Sequence, residues 1–199
     1  MIYLFEDWIK NNEKPFLVLG KGPSIERLDE IDKSKYTIFG LNHIVKREKV
    51  DIAHFIDYEV IEQCGEVILD NAKFLMMPWH PNKGFKLHYK NIESLCKENK
   101  ILGTLRREKR LITYNRGGTN CKLGGKLVFL FNFNGDSTFN LLSVHGERKI
   151  YSLGIDGGKS YSTLFNEYDP LQNGRDSFNS QFSVIETISE KYNSQLIQL

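Results

Sequence analysis

Three glycine turns with polar side chains, 20-GKGPS-24, 116-RGGTN-120 and 154-GIDGG-158, and two polar residues at strand ends, Asn42 and Asp57, make five short clusters in this chain. Their chemistry is that of anion recognition. Glycine lets the backbone come close to a ligand, and N–H groups at a helix N-terminus beside an arginine form a natural site for phosphate. An aspartate at a strand end beside phosphates is also a fitting ligand for a divalent cation. Each cluster has a plainer reading as well. Gly20 and Gly22 can serve only a tight turn, and Asn42 and Asp57 can cap the helices that follow them. Arg116-Gly-Gly-Thr can be a turn plus a helix start.

The first loop fits neither familiar phosphate pattern. It lacks the four residues between Gly and Gly-Lys-Ser/Thr of a Walker A loop, and Ile25 stands where GxGxxG needs its third glycine. The histidines at 43, 54, 80, 88 and 145 show no metal-ligand spacing, so no metal site is assigned from them. A structural or surface role is the default for each, with His80, between Trp79 and Pro81, as the exception. No Gly-x-Ser-x-Gly elbow is present, and no cysteine sits in a nucleophile context.

The elements that must position these clusters are short and alternate. Strands are expected over 16-FLVLG-20, 36-YTIFGLN-42, 51-DIAHFID-57, 73-KFLMMP-78, 111-LITYN-115, 149-KIYSLGID-156 and 195-QLIQL-199. Helices are expected over 24–32, where Pro23 suits a first turn, and over 58–70, 91–99, 136–146 and 179–191. A mostly apolar helix is expected to follow the glycine turn within 116–133. Ile2, Phe5 and Ile9 place a short amphipathic helix at the N-terminus. Segments 79–91 and 157–178 read as lid loops. Strands alternating with helices predict one α/β domain over residues 1–199, Rossmann-like, with a mostly parallel sheet and helices on both faces. In such sheets ligands bind outside the carboxyl ends of the strands, and all five clusters fall at that edge.

Composition narrows the partners. A chain of 199 residues that is 40% hydrophobic and 12% aromatic can bury a real core, which excludes global disorder. The 27 basic and 25 acidic side chains nearly balance, so no nucleic-acid partner is expected, and 106-RREKR-110 reads as a solvated face. Three cysteines without CxxC spacing suit a reducing cytoplasm. No apolar run is long enough to span a bilayer, and Glu6 and Asp7 interrupt any signal-like start. The expected location is cytoplasmic, with any membrane contact peripheral, at the inner face and through the substrate; the oligomeric state stays open.

Taken together, strand–Gly-x-Gly-Pro-Ser, strand–Asn, Arg-x-x-Thr opening a helix, and strand–Leu-Gly-Ile-Asp with tyrosines following resemble the bacterial sialyltransferases of glycosyltransferase family 42. The pattern is also similar to related Rossmann-like domains of the hydroxymethylpterin diphosphokinases and flagellin-glycosylation accessory proteins. The resemblance implies a CMP-linked sugar donor and a surface-glycan acceptor, as in lipopolysaccharide biosynthesis. It places Gly20, Gly22, Pro23 and Ser24 under the nucleotide and Asn42 on ribose or phosphate. Thr119 and Asn120 approach from the second glycine turn, and Gly154, Ile155 and Asp156 frame base and ribose. Tyr161, and Tyr168 beside it, match tyrosines that bond the departing phosphate, and Arg116 matches an arginine beside the active site.

Two departures follow. The family's histidine base has no counterpart in 173–188, where Asn179 falls near its position, so Asp176 or His80 is expected in its place. Asp57 stands where the sialyltransferases have Asn and the diphosphokinase-like proteins have Asp, and in that alternative it would hold Mg²⁺. The sugar transfer itself requires no cofactor. The competing readings are a nucleotide-dependent phosphoryl or diphosphoryl transferase, a non-catalytic nucleotide- or sugar-binding domain, and a dinucleotide oxidoreductase.

Overall fold

The structure, a computed structural model, describes every residue except 85, 119–122, 124, 169 and 172–174. The chain opens with β1 (Tyr3–Leu4) and α1 (Phe5–Ile9), then β2 (Phe16–Leu19) and a 3-10 helix over Pro23–Glu30. Next come β3 (Thr37–Leu41), β4 (Val50–His54), α2 (Glu59–Cys64), α3 (Val67–Asn71) and β5 (Ala72–Pro78). The hairpin β6 (Asn82–Lys83) and β7 (Lys86–Leu87) leads to α4 (Ile92–Glu98) and α5 (Lys100–Arg107). The last third holds β8 (Leu111–Arg116), β9 (Leu127–Val128), α6 (Asn134–Val144), β10 (Lys149–Leu153), α7 (Ser180–Tyr192) and β11 (Gln195–Gln198).

Among the described residues nine strands form one sheet in the order β1-β8-β5-β4-β3-β2-β10-β11, with β9 beside β8, and each of its pairings is parallel. All four side chains of β2 and all five of β3 are buried, as expected of strands covered on both faces. Their alternation divides the core. Phe16 and Val18 pack with Phe39, Phe139 and Ile185 under α6 and α7, while Leu17 and Leu19 pack with Ile61, Leu95 and Leu105 under α2, α4 and α5. The expected α/β domain with a mostly parallel sheet and flanking helices is the one observed.

The chain steps outward from β2 through β3, β4, β5 and β8, then returns to the other side of β2 as β10. The β2/β10 boundary is therefore the topological switch point, where the carboxyl ends of neighbouring strands splay apart.

Several elements differ from expectation. The 24–32 helix is a tight 3-10 turn, and 58–70 is two short helices broken at Gly65, whose φ is 61°. The 79–91 loop contains the β6/β7 hairpin. The basic run at 106–110 ends α5 and is structural, because Arg110 donates to the carbonyls of Leu69, Ala72 and Lys73 and Arg106 pairs with Glu93. The apolar helix expected within 116–133 is absent among the described residues. There β9 runs beside β8, with Leu127, Phe129 and Phe131 exposed and Val128 buried, a period of two.

Candidate functional site

At the switch point the first glycine turn and the Gly-Ile-Asp turn lock together. Gly20 N–H donates to Leu153 O and Gly22 N–H to Gly154 O, both at 2.8 Å. A Cβ on Gly20 would stand 2.2 Å from Gly154 O, and one on Gly154 would stand 2.2 Å from Gly20 O. Only two glycines permit this approach, and Gly154 also needs its φ of 76°. Ser24 completes the lock. Its N–H donates to Asp156 Oδ2 at 2.7 Å, its hydroxyl donates to Asp156 Oδ1 at 2.5 Å, and the hydroxyl accepts from Gly154 N–H at 2.7 Å.

Above this junction lies a cavity of about 680 Å³, within the range of small-ligand sites. One wall is cationic and aromatic. Lys21 Nζ lies 4.0 Å from the ring centre of Tyr161, 5.0 Å from that of Tyr168 and 3.5 Å from His43 Nδ1. Burial pushes the Lys21 ammonium down to about 8. Burial, and then the charge of Lys21, push His43 down to about 4, so its imidazole is neutral. With Nδ1 accepting from Lys21, Nε2–H donates to Gln63 Oε1 at 2.7 Å, and the ring stacks on Tyr168 with centroids 4.0 Å apart.

A second wall is the start of α6, where Asn134 and Gly135 line the cavity. Asn42 follows β3 in the left-handed region, φ 50°, a conformation that asparagine adopts more readily than most non-glycine residues. Its Oδ1 accepts from Asn134 Nδ2 at 2.7 Å, and Asn134 Nδ2 also reaches His54 O at 3.2 Å. Beneath runs a buried polar chain. Tyr114 OH donates to His54 Nε2 (3.0 Å), His54 Nδ1–H to Thr138 Oγ1 (2.7 Å) and the Thr138 hydroxyl to Asn134 O (2.7 Å). Each donor in that chain fixes the next acceptor and so the His54 tautomer. Burial holds His54 down near 3 and the Tyr114 hydroxyl far above its usual range.

The third wall comes from α2, β6 and β8. Asn82 Nδ2 donates to Asp57 Oδ1 at 3.1 Å, and Arg116 Nη1 donates to Asn82 Oδ1 at 2.5 Å. Burial raises the Asp57 carboxyl, and Glu59 adds to this, while the Asn82 bond and Arg116 oppose it. Arg175 lies 4.5 Å over the Phe133 ring and donates to Asn132 O.

The segment after Asp156 folds back over the first loop. Ser162 N–H donates to Lys21 O at 2.7 Å, while Glu26 Oε1 accepts from the hydroxyls of Ser162 (2.7 Å) and Thr163 (2.9 Å). Arg47 pairs with Glu167 at 3.2 Å. These bonds hold Tyr161 and Tyr168 over Lys21.

Of the site residues expected from sequence, Gly20, Gly22, Asn42, Asp57 and Arg116 line the cavity, as do Gly154, Ile155, Asp156 and Tyr161. Pro23 and Ser24 stand behind the wall, with Ser24 spent on Asp156. Thr119 and Asn120 lie outside the described residues. Among the described residues the lining includes neither His80 nor Asp176; His80 gives its carbonyl to Arg116 at 3.5 Å. Asn179, near the family's histidine position, accepts from Gly158 N–H at 2.8 Å and serves the backbone.

The donor set does not fit the Mg²⁺ expectation for Asp57. Its neighbours are an amide and a guanidinium, and among the described residues no three His, Cys, Asp or Glu side chains converge. Sequence reasoning missed Lys21, although it sits inside the first quoted loop, and also missed His43, Asn82, Asn134 and Arg175. No helix among the described residues is long and apolar enough to cross a membrane.

No protein-family model matches the chain, and no curated protein matches it in sequence. Two solved structures are similar to it. A point mutant of the alpha-2,3/8-sialyltransferase CstII is 15% identical with a TM-score of 0.46. The sialyltransferase CST-II in complex with trisaccharide acceptor and CMP is 16% identical with a TM-score of 0.48. Each comparison covers 94% of this chain and 81% of the other, and at that identity it assigns no residue a role.

Proposed function

We propose that the chain is a glycosyltransferase that moves a sugar from a nucleotide-activated donor, CMP-linked, to a glycan acceptor. The observation that carries this reading is the convergence of Lys21, Arg116, Arg175 and the α6 N-terminus on one cavity at the switch point. Positive groups and oriented N–H dipoles stabilise the charge that develops on a departing phosphate, without moving during the reaction. The CMP link rests on the motif resemblance of Gly20–Ser24 and Gly154–Asp156, whose backbone-to-backbone lock shapes one end of the cavity.

In this mechanism the donor phosphate lies toward Lys21 and the tyrosines, and the acceptor hydroxyl enters beside Asp57 and Arg116. Tyr161 and Lys21 receive the leaving oxygen's charge, while Arg116 acts on the acceptor side through Asn82. The test is release of free nucleotide from a panel of CMP-, UDP- and GDP-sugars by the purified chain with glycan acceptors. CMP release that depends on acceptor supports the reading. Turnover of ATP with Mg²⁺, and of no nucleotide sugar, replaces it with phosphoryl transfer.

A further inference from the structure

We propose that Asp57 is the catalytic base that takes the proton from the acceptor hydroxyl, an assignment that rests on the glycosyltransferase reading above. A transfer to a hydroxyl needs a proton acceptor within reach of the reacting oxygen. The basic groups that line the cavity can be taken one by one. Asp156 has an oxygen on each of two Ser24 donors. His43 has both ring nitrogens engaged, by Lys21 and Gln63. Lys21 Nζ is held against two tyrosine rings, where its charge is used. Glu59 accepts Gly84 N–H at 2.6 Å through Oε1 in an exposed setting, with no side-chain donor to orient it among the described residues.

Asp57 is different. Its bond from Asn82 engages Oδ1 alone, Oδ2 has no hydrogen-bond partner among the described residues, and the residue is only half-buried at the cavity wall. Asn82 is itself oriented by Arg116, so the base is held by a positioned donor, as productive proton transfer requires. The charged groups facing it are Glu59 from α2 and Arg116 from β8, with the Tyr114 hydroxyl next along β8. Burial and Glu59 raise its affinity for a proton, against the Asn82 bond and Arg116, which is the direction a proton acceptor needs.

The step balances without any further reagent. The acceptor O–H proton passes to Asp57 Oδ2 as the acceptor oxygen bonds to the anomeric carbon. The bond from that carbon to the donor phosphate oxygen breaks, and its electron pair leaves with the nucleoside phosphate. Asp57 ends as a carboxylic acid and returns its proton to solvent.

The test compares wild type, Asp57→Asn and Asn82→Ala for CMP affinity by calorimetry and for steady-state transfer from pH 4 to 9. For Asp57→Asn, CMP affinity is expected within ~3-fold of wild type, with kcat reduced by ~100-fold or more and the acid limb of kcat/KM lost. Asn82→Ala removes a donor to the carboxylate, so its acid limb moves to higher pH while CMP affinity holds, a shift that a purely structural role would not produce. An Asp57→Asn protein that keeps more than about one tenth of wild-type kcat, or an unchanged acid limb, overturns the assignment and leaves the glycosyltransferase reading standing. A wild-type chain that neither binds nor turns over any nucleotide sugar overturns both.

Discussion

Asp156 and Ser24, 132 residues apart in the chain, share two hydrogen bonds that tie the turn after β10 to the turn after β2. The same serine hydroxyl accepts from Gly154 N–H, so this one residue makes three hydrogen bonds at the switch point, two of them through its side chain. Asp156 therefore acts first as a clamp, and its carboxylate shapes the cavity through Ser24.

Replacing Ser24 with Ala leaves Gly154 N–H and Asp156 Oδ1 unpaired. Leaving such groups unsatisfied costs about 1–3 kcal/mol, so urea unfolding of Ser24→Ala should show a loss of about 2 kcal/mol. An unchanged midpoint would mean that water replaces the hydroxyl and that the clamp is dispensable.

The glycine pair makes a sharper contrast. Gly20→Ala and Gly154→Ala each drive a Cβ to 2.2 Å from a backbone oxygen, and neither strand end can yield without disturbing the sheet. Each should cost about 3 kcal/mol or more in chemical denaturation. Gly158→Ala, where φ is 70° but nothing stands within 4 Å, should cost only about 1 kcal/mol.

Acid should destabilise the fold through the buried histidines. His54 is held near 3 and His43 near 4 in the folded chain, against an ordinary value of 6.5. Unfolded chains bind these protons first as pH falls, so stability present above pH 6.5 is lost progressively toward pH 4 and below. Tyr114→Phe removes the donor to His54 Nε2 and should lower stability by about 1–3 kcal/mol at neutral pH. Melting curves across pH 4 to 8 check both statements.

Lys21 works in the same sense, in a higher pH window. Its folded value of about 8 lies below the ordinary 10.5, so between those limits the unfolded chain holds a proton that the folded chain has released. Stability therefore rises with pH across that window, and the rise should be missing in Lys21→Met. The same variant should be at least as stable as wild type at pH 7 yet bind anionic nucleotides more weakly. A variant with unaltered nucleotide affinity would remove Lys21 from the site.

Much of the fold was legible because parallel strands buried on both faces are unbroken apolar runs, as in 16-FLVL-19 and 37-TIFGL-41. The clustering of Gly20, Asn42, Asp57, Arg116 and Gly154 at one sheet edge was legible for the same reason: each ends or follows a strand. What local pattern does not carry is long-range pairing. Nothing near Ser24 announces Asp156, and nothing near Asp57 announces Asn82, which arrives on a hairpin within an expected loop. The helix expected within 116–133 failed because seven residues of 127-LVFLFNF-133 are too few to separate a period of two from one of 3.6 by apolar content alone.

The most direct measurement is the melting temperature of the full chain with CMP in metal-free buffer, for wild type and Asn42→Ala. Saturating ligand adds about 2.7 kcal/mol at 100 times its Kd, and each kcal/mol moves a chain of this size by about 2–4 °C. We expect wild type to rise by about 5–10 °C with CMP and no metal, and Asn42→Ala to rise by less than half as much. No shift with CMP, or an equal shift in both proteins, would contradict a nucleotide site at the junction of Gly20–Gly22 and Gly154–Asp156.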